Sequence, residues 1–176
     1  MAKNSKEKIE DDKKRILREL EKNSSESINI IAKRSGFSRQ KVWRTIKDLE
    51  NSNTIWGYTA VIDDEKISRK RFFILLKRSP KPASKEKINI VIKRDLREVA
   101  TKQGVELEDS YYINGVYDWL LGITADNINQ VKKFCDSINM TFKGTYVSNV
   151  DILEVMFPVE RNGFNNPNRE ELKKFF

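Results

Sequence analysis

Arg39, Gln40, Trp43, Arg44 and Lys47 lie within nine residues, and the apolar Val42, Ile46 and Leu49 recur among and just beyond them at i, i+4 and i+7. That period belongs to a helix with its apolar stripe facing inward, which leaves the polar set on the outer face. Arginine and glutamine can each form two-pronged hydrogen bonds, to guanine and adenine edges respectively, in the major groove of duplex DNA. Ser38, Arg44 and Lys47 suit phosphate oxygens, which position a protein on the duplex without reading sequence. Trp43 could touch a thymine methyl or pack against a neighbouring strand, and packing suits so large an apolar ring.

The residues before this helix have the steric types needed to aim it. Ala32 is small enough for two helices to cross closely, Gly36 can take a left-handed turn conformation, and Val42 anchors the next helix. Asn29 is placed to cap a short helix at about residues 30–35, and Ser38 to cap a reading helix running to about Asn51. Asp11 can cap a first helix to about Lys22, whose Ile16, Leu17 and Leu20 complete a three-helix unit. Asn53 can take a left-handed position at the end of the reading helix. TIWGYTAVI, residues 54–62, is β-branched and aromatic enough for the strand of a wing.

Residues 63–69 read as a hinge, after which RFFILLKR, residues 71–78, is an apolar run of strand length ended by SPKP at 79–82. Ser84 can cap a helix with Ile88, Ile92, Leu96 and Val99 on one face, and Gly104 can stop it. Runs at 107–113 and 116–124 flank Asn114-Gly115, a strong two-residue hairpin signal. Asp126 can cap a helix with Ile128, Val131, Phe134 and Ile138 inward, and residues 142–157 supply a last strand. The order βαββαβ predicts an α+β chain: an N-terminal winged helix-turn-helix domain followed by a ferredoxin-like domain. Its boundaries fall at 1–62, 63–69 for the hinge, 70–159, and 160–176 for a tail. RFFILLK and VYDWLLGI are apolar at successive positions, so the open sheet face is expected to be covered by another subunit.

Composition narrows the function classes. The 176 residues suffice for two small domains, and the net charge of +8 is uneven: +5 over residues 1–62, +7 over 63–104 and −4 over 105–176. A basic leading part suits attraction to phosphates. The cluster KISRKR at 66–71 fits either added phosphate contacts or a solvated linker. Cys135 is the single cysteine and histidine is absent, so a disulfide framework, the usual zinc sites and histidine-based triads lack their parts. No enzyme activity and no cofactor are expected. No apolar run is long enough for a bilayer, and the charged start lacks a signal-peptide core, so the expectation is a cytoplasmic protein with no membrane partner.

RILREL, IAKRSGFSRQKVWRTIKDLE and IWGYTAVID resemble the leucine-responsive regulatory protein/asparagine-synthesis regulator (Lrp/AsnC, feast/famine) family of transcription regulators. More loosely, NGVYDWLLGI at 114–123 is similar to that family's glycine-x-tyrosine-aspartate hairpin, and DILEV at 151–155 to its final strand. The resemblance spans about residues 9–159. It implies a DNA-binding domain joined to an effector and oligomerisation domain, homodimers joined through their sheets, higher homo-oligomers, and small effectors, commonly amino acids. For Gly115, Tyr117 and Asp118 it implies an effector role, in which hairpin backbone and one carboxylate hold an amino acid between dimers; a plain tight turn is the structural alternative. Val116 stands where the family often has an acidic residue, Asn53 and Thr54 replace a usual glycine and aliphatic residue, and ERNGFNNPNREELKKFF is an added tail whose last residues could form a short helix docked through Leu172, Phe175 and Phe176, or fray. Siroheme decarboxylases share the two-domain plan and form the enzymatic alternative, but they resemble proteins with histidine near the porphyrin, and this chain has none.

Overall fold

Apolar periodicity places two separate cores in the chain. The computed structural model describes residues 2–80, 84–93, 95–142 and 146–176. Two compact units result, Met1–Val61 with Asn162–Phe164, and Ile62–Arg161 with Asn165–Phe176.

In the first unit, α1 (Ala2–Lys22), α2 (Ile28–Ser35) and α3 (Arg39–Asn51) enclose Ile16, Leu20, Ile31, Ala32 and Val42, with Ile28, Phe37, Ile46 and Ile55 packed around them. Full burial of an aliphatic side chain contributes about 1.5–3 kcal/mol, so this handful of residues holds the unit together. Helix α1 starts nine residues before the expected Asp11 cap. Helix α2 starts at Ile28 with Ser27, not Asn29, as its cap: the Ser27 hydroxyl accepts the Ile30 N–H, and Asn29 lies inside the helix. Ser38 caps α3 as expected, accepting the Lys41 N–H at 3.2 Å, and Asn53 takes a left-handed conformation at φ 55°.

The expected wing strand does not form. Residues 56–63 carry no regular structure, with Trp56 94% exposed, because none of the described residues pairs with this segment and a strand needs a ladder to hold its backbone polar groups.

In the second unit, β1 (Lys70–Arg78), β2 (Val105–Tyr112), β3 (Trp119–Ala125) and β4 (Val147–Glu154) form an antiparallel sheet in the order β2-β3-β1-β4, the ferredoxin-like arrangement. Alternation along β1 sends Phe72, Ile74 and Leu76 into a core with Leu121, Ile123, Val131, Phe134 and Ile138. Phe73 and Leu75 point to the opposite face, beside Leu120 of β3 and Leu153 of β4.

The single helix expected over 84–104 is two: α4 (Lys85–Ile92) and α5 (Asp95–Lys102). The break lets each piece present its own apolar side to the sheet. Ile90 and Val91 pack from α4 and Leu96, Val99 and Ala100 from α5, while the expected Ile88 and Ile92 stay exposed. Gly104, at φ 72°, follows α5 as the expected stop. Helix α6 (Ile128–Thr141) is capped by Asn127 rather than Asp126, with a reciprocal bond from Gln130, and buries Val131, Phe134, Cys135 and Ile138.

Asn114-Gly115 does not make a two-residue turn. Neither residue has positive φ, and Tyr112 pairs with Trp119 while the Ile113 N–H bonds the Asp118 carbonyl, leaving a four-residue loop. Asp118 is fixed from β1 as well, its N–H donating to the Leu76 carbonyl at 3.0 Å, which sets the wider register. A second Asn-Gly pair does turn tightly: Asn162 (φ 49°) and Gly163 (φ 79°) join β5 (Glu160–Arg161) to β6 (Phe164–Asn165). The tail ends in a 3₁₀ turn, Arg169–Phe175, where Phe175 packs on Phe157 at 5.8 Å between ring centroids and Phe176 remains fully exposed. The residues expected at 81–82 to end β1, and the start of the final strand at 143–145, lie outside the described residues.

Cys135 is 6% exposed, and burial, with Asp136 adding to it, pushes its thiol up to about 11. The native protein at pH 8 is therefore expected to react with a thiol-specific chromogenic reagent only as it unfolds, and stoichiometric reaction within seconds in native buffer would contradict the burial.

Candidate nucleic-acid interface

The pose of α3 is set from its inner side. Ala32 and Val42 are 4% and 0% exposed at the crossing of α2 and α3, and Gly36, at φ 70°, reverses the chain between them, its N–H bonding the Ala32 carbonyl. Arg15 reinforces this turn, donating to the Ser35 carbonyl at 2.8 Å and so neutralising the exposed carbonyl end of α2. Its guanidinium also lies 4.9 Å from the Phe37 ring centroid, with the Lys41 ammonium 4.1 Å from the same ring. Lys41 is further anchored by Asp12. Arg15, Phe37 and Lys41 were not singled out in the sequence, because the contacts they make between α1 and the rest of the unit join residues twenty or more positions apart.

The outer side of α3 is exposed at Arg39, Gln40, Trp43, Arg44 and Lys47, with Ser38 exposed at its cap. Arg39, Gln40 and Arg44 have no side-chain partner among the described residues, so their donors are available along one helical face. Lys47 differs. It pairs with Glu50 at 2.7 Å, and Glu50 also accepts the Tyr58 hydroxyl at 3.1 Å. The Lys47 and Tyr58 hydrogen bonds hold the Glu50 carboxyl below its usual range; burial, then the bond to Glu50, raises the Tyr58 hydroxyl. A phosphate contact by Lys47 must compete with this pair, which the i, i+3 spacing of Lys47 and Glu50 already foreshadows. Trp43 is 52% exposed and is not among the residues packed on the core, so the strand-packing role does not hold.

The hairpin residues are placed differently. Gly115 has open space around it, whereas Tyr117 and Asp118 are latched to the sheet. The Tyr117 hydroxyl donates to the Asp151 carboxylate, and this hydrogen bond is the main cause that raises its pKa. Asn149 donates to the same oxygen at 3.1 Å. The Asp118 carboxylate accepts the Arg78 N–H at 2.8 Å, and Arg78 Nε lies 3.7 Å from its other oxygen. Arg78 and Asp118 also line a small cavity that opens to solvent, with Leu76, Val91, Leu96, Trp119, Phe142 and Tyr146 as its apolar walls. No group of three or more His, Cys, Asp or Glu among the described residues could hold a metal ion, and no described helix is long and apolar enough to cross a membrane.

Residues 11–55 match the winged helix-turn-helix DNA-binding family. Comparison with curated protein sequences finds no match. Among solved structures, the chain is similar to an AsnC-family transcriptional regulator from Agrobacterium tumefaciens, at 23% identity and TM-score 0.60 over 85% of this chain and 92% of that one. It is also similar to a transcriptional regulator from Neisseria meningitidis in complex with L-methionine, at 17% identity and TM-score 0.61 over 90% and 97%. A feast or famine regulatory protein from Mycobacterium tuberculosis, complexed with L-methionine, is similar at 16% identity and TM-score 0.65 over 86% and 94%. The chain thus has the α+β, two-domain fold of the Lrp/AsnC regulators, with a helix-turn-helix of the DNA-binding type.

Gly36 gives a direct check on the geometry that aims α3. A Cβ there meets only Arg15 Nη2 at an ordinary 3.5 Å, so the cost of Gly36→Ala is conformational. The left-handed conformation should cost the first unit about 1–2 kcal/mol in urea unfolding, with Gly36→Asn less affected; equal stability of the alanine variant would contradict the turn.

Proposed function

We propose that this chain, built on the fold of the Lrp/AsnC regulators, is a member of that family: a sequence-specific, double-stranded-DNA-binding transcription regulator acting in the cytoplasm as a homodimer or higher homo-oligomer. The observation that carries this reading is the set of donors of Arg39, Gln40 and Arg44, unpartnered among the described residues, on the outer face of a helix whose inner face is committed to packing. Arg39 and Gln40 lie in its first turn, the part of a reading helix that meets base edges. Ser38 and Lys47 serve phosphates, and Trp43, free of the core, offers its ring to a thymine methyl. The excess positive charge of residues 1–104 supplies the non-specific attraction on which sequence reading is superimposed.

The open sheet face supports the dimer. Phe73, Leu75, Leu120 and Leu153 form an apolar surface on the side away from the helices, and Leu153 is half exposed. A second copy covering this face would place two reading helices about 34 Å apart on one side of the duplex, the spacing of a pseudo-palindromic site.

For the effector, the charge arrangement of Arg78 and Asp118 beside apolar walls suits a zwitterion with an apolar side chain: guanidinium toward carboxylate, carboxylate toward ammonium, side chain into the cavity. Methionine, bound by two of the similar proteins, has this chemistry. Tyr117 then acts by holding the loop to Asp151, and Gly115 by keeping its approach open.

Two experiments test these roles. Arg39→Ala should cost about 1–3 kcal/mol on a selected operator and little on scrambled DNA, while Glu50→Gln, which removes a carboxylate from beside Lys47, should tighten binding to both. Unchanged operator affinity in the Arg39 variant would overturn the reading-helix assignment. For the effector, calorimetry with methionine and other apolar amino acids should show binding to wild type that Asp118→Ala abolishes without loss of ligand-free DNA affinity. A variant that binds the amino acid equally well would remove Asp118 from that role.

A further inference from the structure

The tail added after β4 ends its first turn in contact with the segment that leads out of the helix-turn-helix unit. Arg161 stands immediately before the tight Asn162-Gly163 turn, which fixes the direction of its side chain. Its Nη1 donates to the Ile62 carbonyl at 3.0 Å and to Asp64 Oδ2 at 2.8 Å, and its Nη2 lies 3.9 Å from Glu108 Oε2. Asp64 also accepts Arg71 Nε at 2.9 Å, and the Glu108 carboxylate accepts both terminal nitrogens of Arg71. Glu108 reaches Arg71 because the β2 register shifts between Leu107 and Asp109, a bulge that re-aims it. Two guanidiniums and two carboxylates thus form a closed, charge-balanced cluster, in which Arg71 and Asp64 are 9% and 12% exposed at their side chains.

We propose that Arg161 is a positioning residue for DNA recognition: it latches Ile62 and Asp64 to the sheet unit and so limits how far the reading unit can reorient. The inference rests on the DNA-binding reading above. Arg71, inside β1, holds Asp64 through both carboxylate oxygens, at 2.9 and 3.4 Å; the Ile62 carbonyl is held by Arg161 alone among the described residues. Beyond Asp64 the segment folds into a single 3₁₀ turn, Glu65–Ile67, closed by Ile67 and Arg69 N–H bonds to the Asp64 carbonyl and a Ser68 bond to Glu65. Loosening Asp64 therefore loosens the turn that depends on its carbonyl. Each extended residue released adds about 3.3–3.6 Å of reach, so freeing 62–69 in both subunits would tolerate half-sites well away from their preferred spacing.

The test uses the full chain and two readouts. Hydrogen exchange across residues 62–69, measured without DNA, should quicken at least tenfold in Arg161→Ala. Arg161→Lys should fall between, because one ammonium on a flexible stem cannot reproduce the forked contact to Ile62 and Asp64. On operators with half-sites separated by zero, five or ten additional base pairs, wild type should reject the half-turn insertion, whereas Arg161→Ala should lose at least tenfold of that discrimination while keeping its affinity for a single half-site. Unchanged exchange in 62–69 would overturn the latch, and faster exchange with intact spacing preference would overturn the positioning role. Failure of wild type to bind DNA would instead overturn the proposed function, with the exchange experiment still deciding whether the latch exists.

Discussion

The close crossing of α2 and α3 at Ala32 and Val42 is the constraint on which the exposed face of α3 depends. The two helices meet over a small residue, Gly36 supplies the left-handed reversal between them, and Ser38 restarts the chain as a capped helix. Once Val42 and Leu49 are buried, the 100° step of the helix leaves no choice about where Arg39, Gln40 and Arg44 point. Packed and exposed side chains are thereby assigned to opposite sides of one element. Among the described residues, Arg39, Gln40 and Arg44 have no side-chain partner to lose, whereas Lys47 is paired with Glu50.

Charged groups in the sheet unit are used in the opposite way. Arg71, Asp64, Glu108 and Arg161 satisfy one another in a cluster with little solvent access; burial works against the charge on Arg71, but its bonds to Glu108 and Asp64 outweigh that and raise its pKa. Removing one member would leave a partly buried charge without its counterion, which is costlier than losing the pair. Tyr117 is likewise tied to Asp151, and Asp118 to the Arg78 backbone. These engaged groups contrast with the side chains of Arg39, Gln40 and Arg44 on α3, which have no partner among the described residues.

Elements whose signals are local were legible in the sequence. The apolar stripe Val42, Ile46 and Leu49, the Ser38 cap, the Gly36 turn and the left-handed Asn53 each depend on neighbours within a few positions, and each stands where it was read. Non-local competition defeated the others. TIWGYTAVI has strand-forming residues but no pairing partner among the described residues, and Asn114-Gly115 yields its tight turn to the hold of β1 on Asp118. The same dipeptide at 162–163, free of that pull, does turn tightly. Helix capping slipped by one or two residues where adjacent polar residues offered rival caps, Ser27 over Asn29 and Asn127 over Asp126. On the reading face, exposure and side-chain type could be inferred from the period, but the engagement of Lys47 by Glu50 and Tyr58 required the fold.

In the proposed function, this chain reads duplex DNA through paired copies of α3. Hydroxyl-radical footprinting of a genomic fragment selected by the full-length protein tests it most directly. Protected backbone is expected on one side of the duplex, in two half-sites related by a pseudo-twofold axis and centred about 34 Å apart. Protection that is uniform along any DNA offered, or a single unpaired half-site at saturating protein, would contradict it.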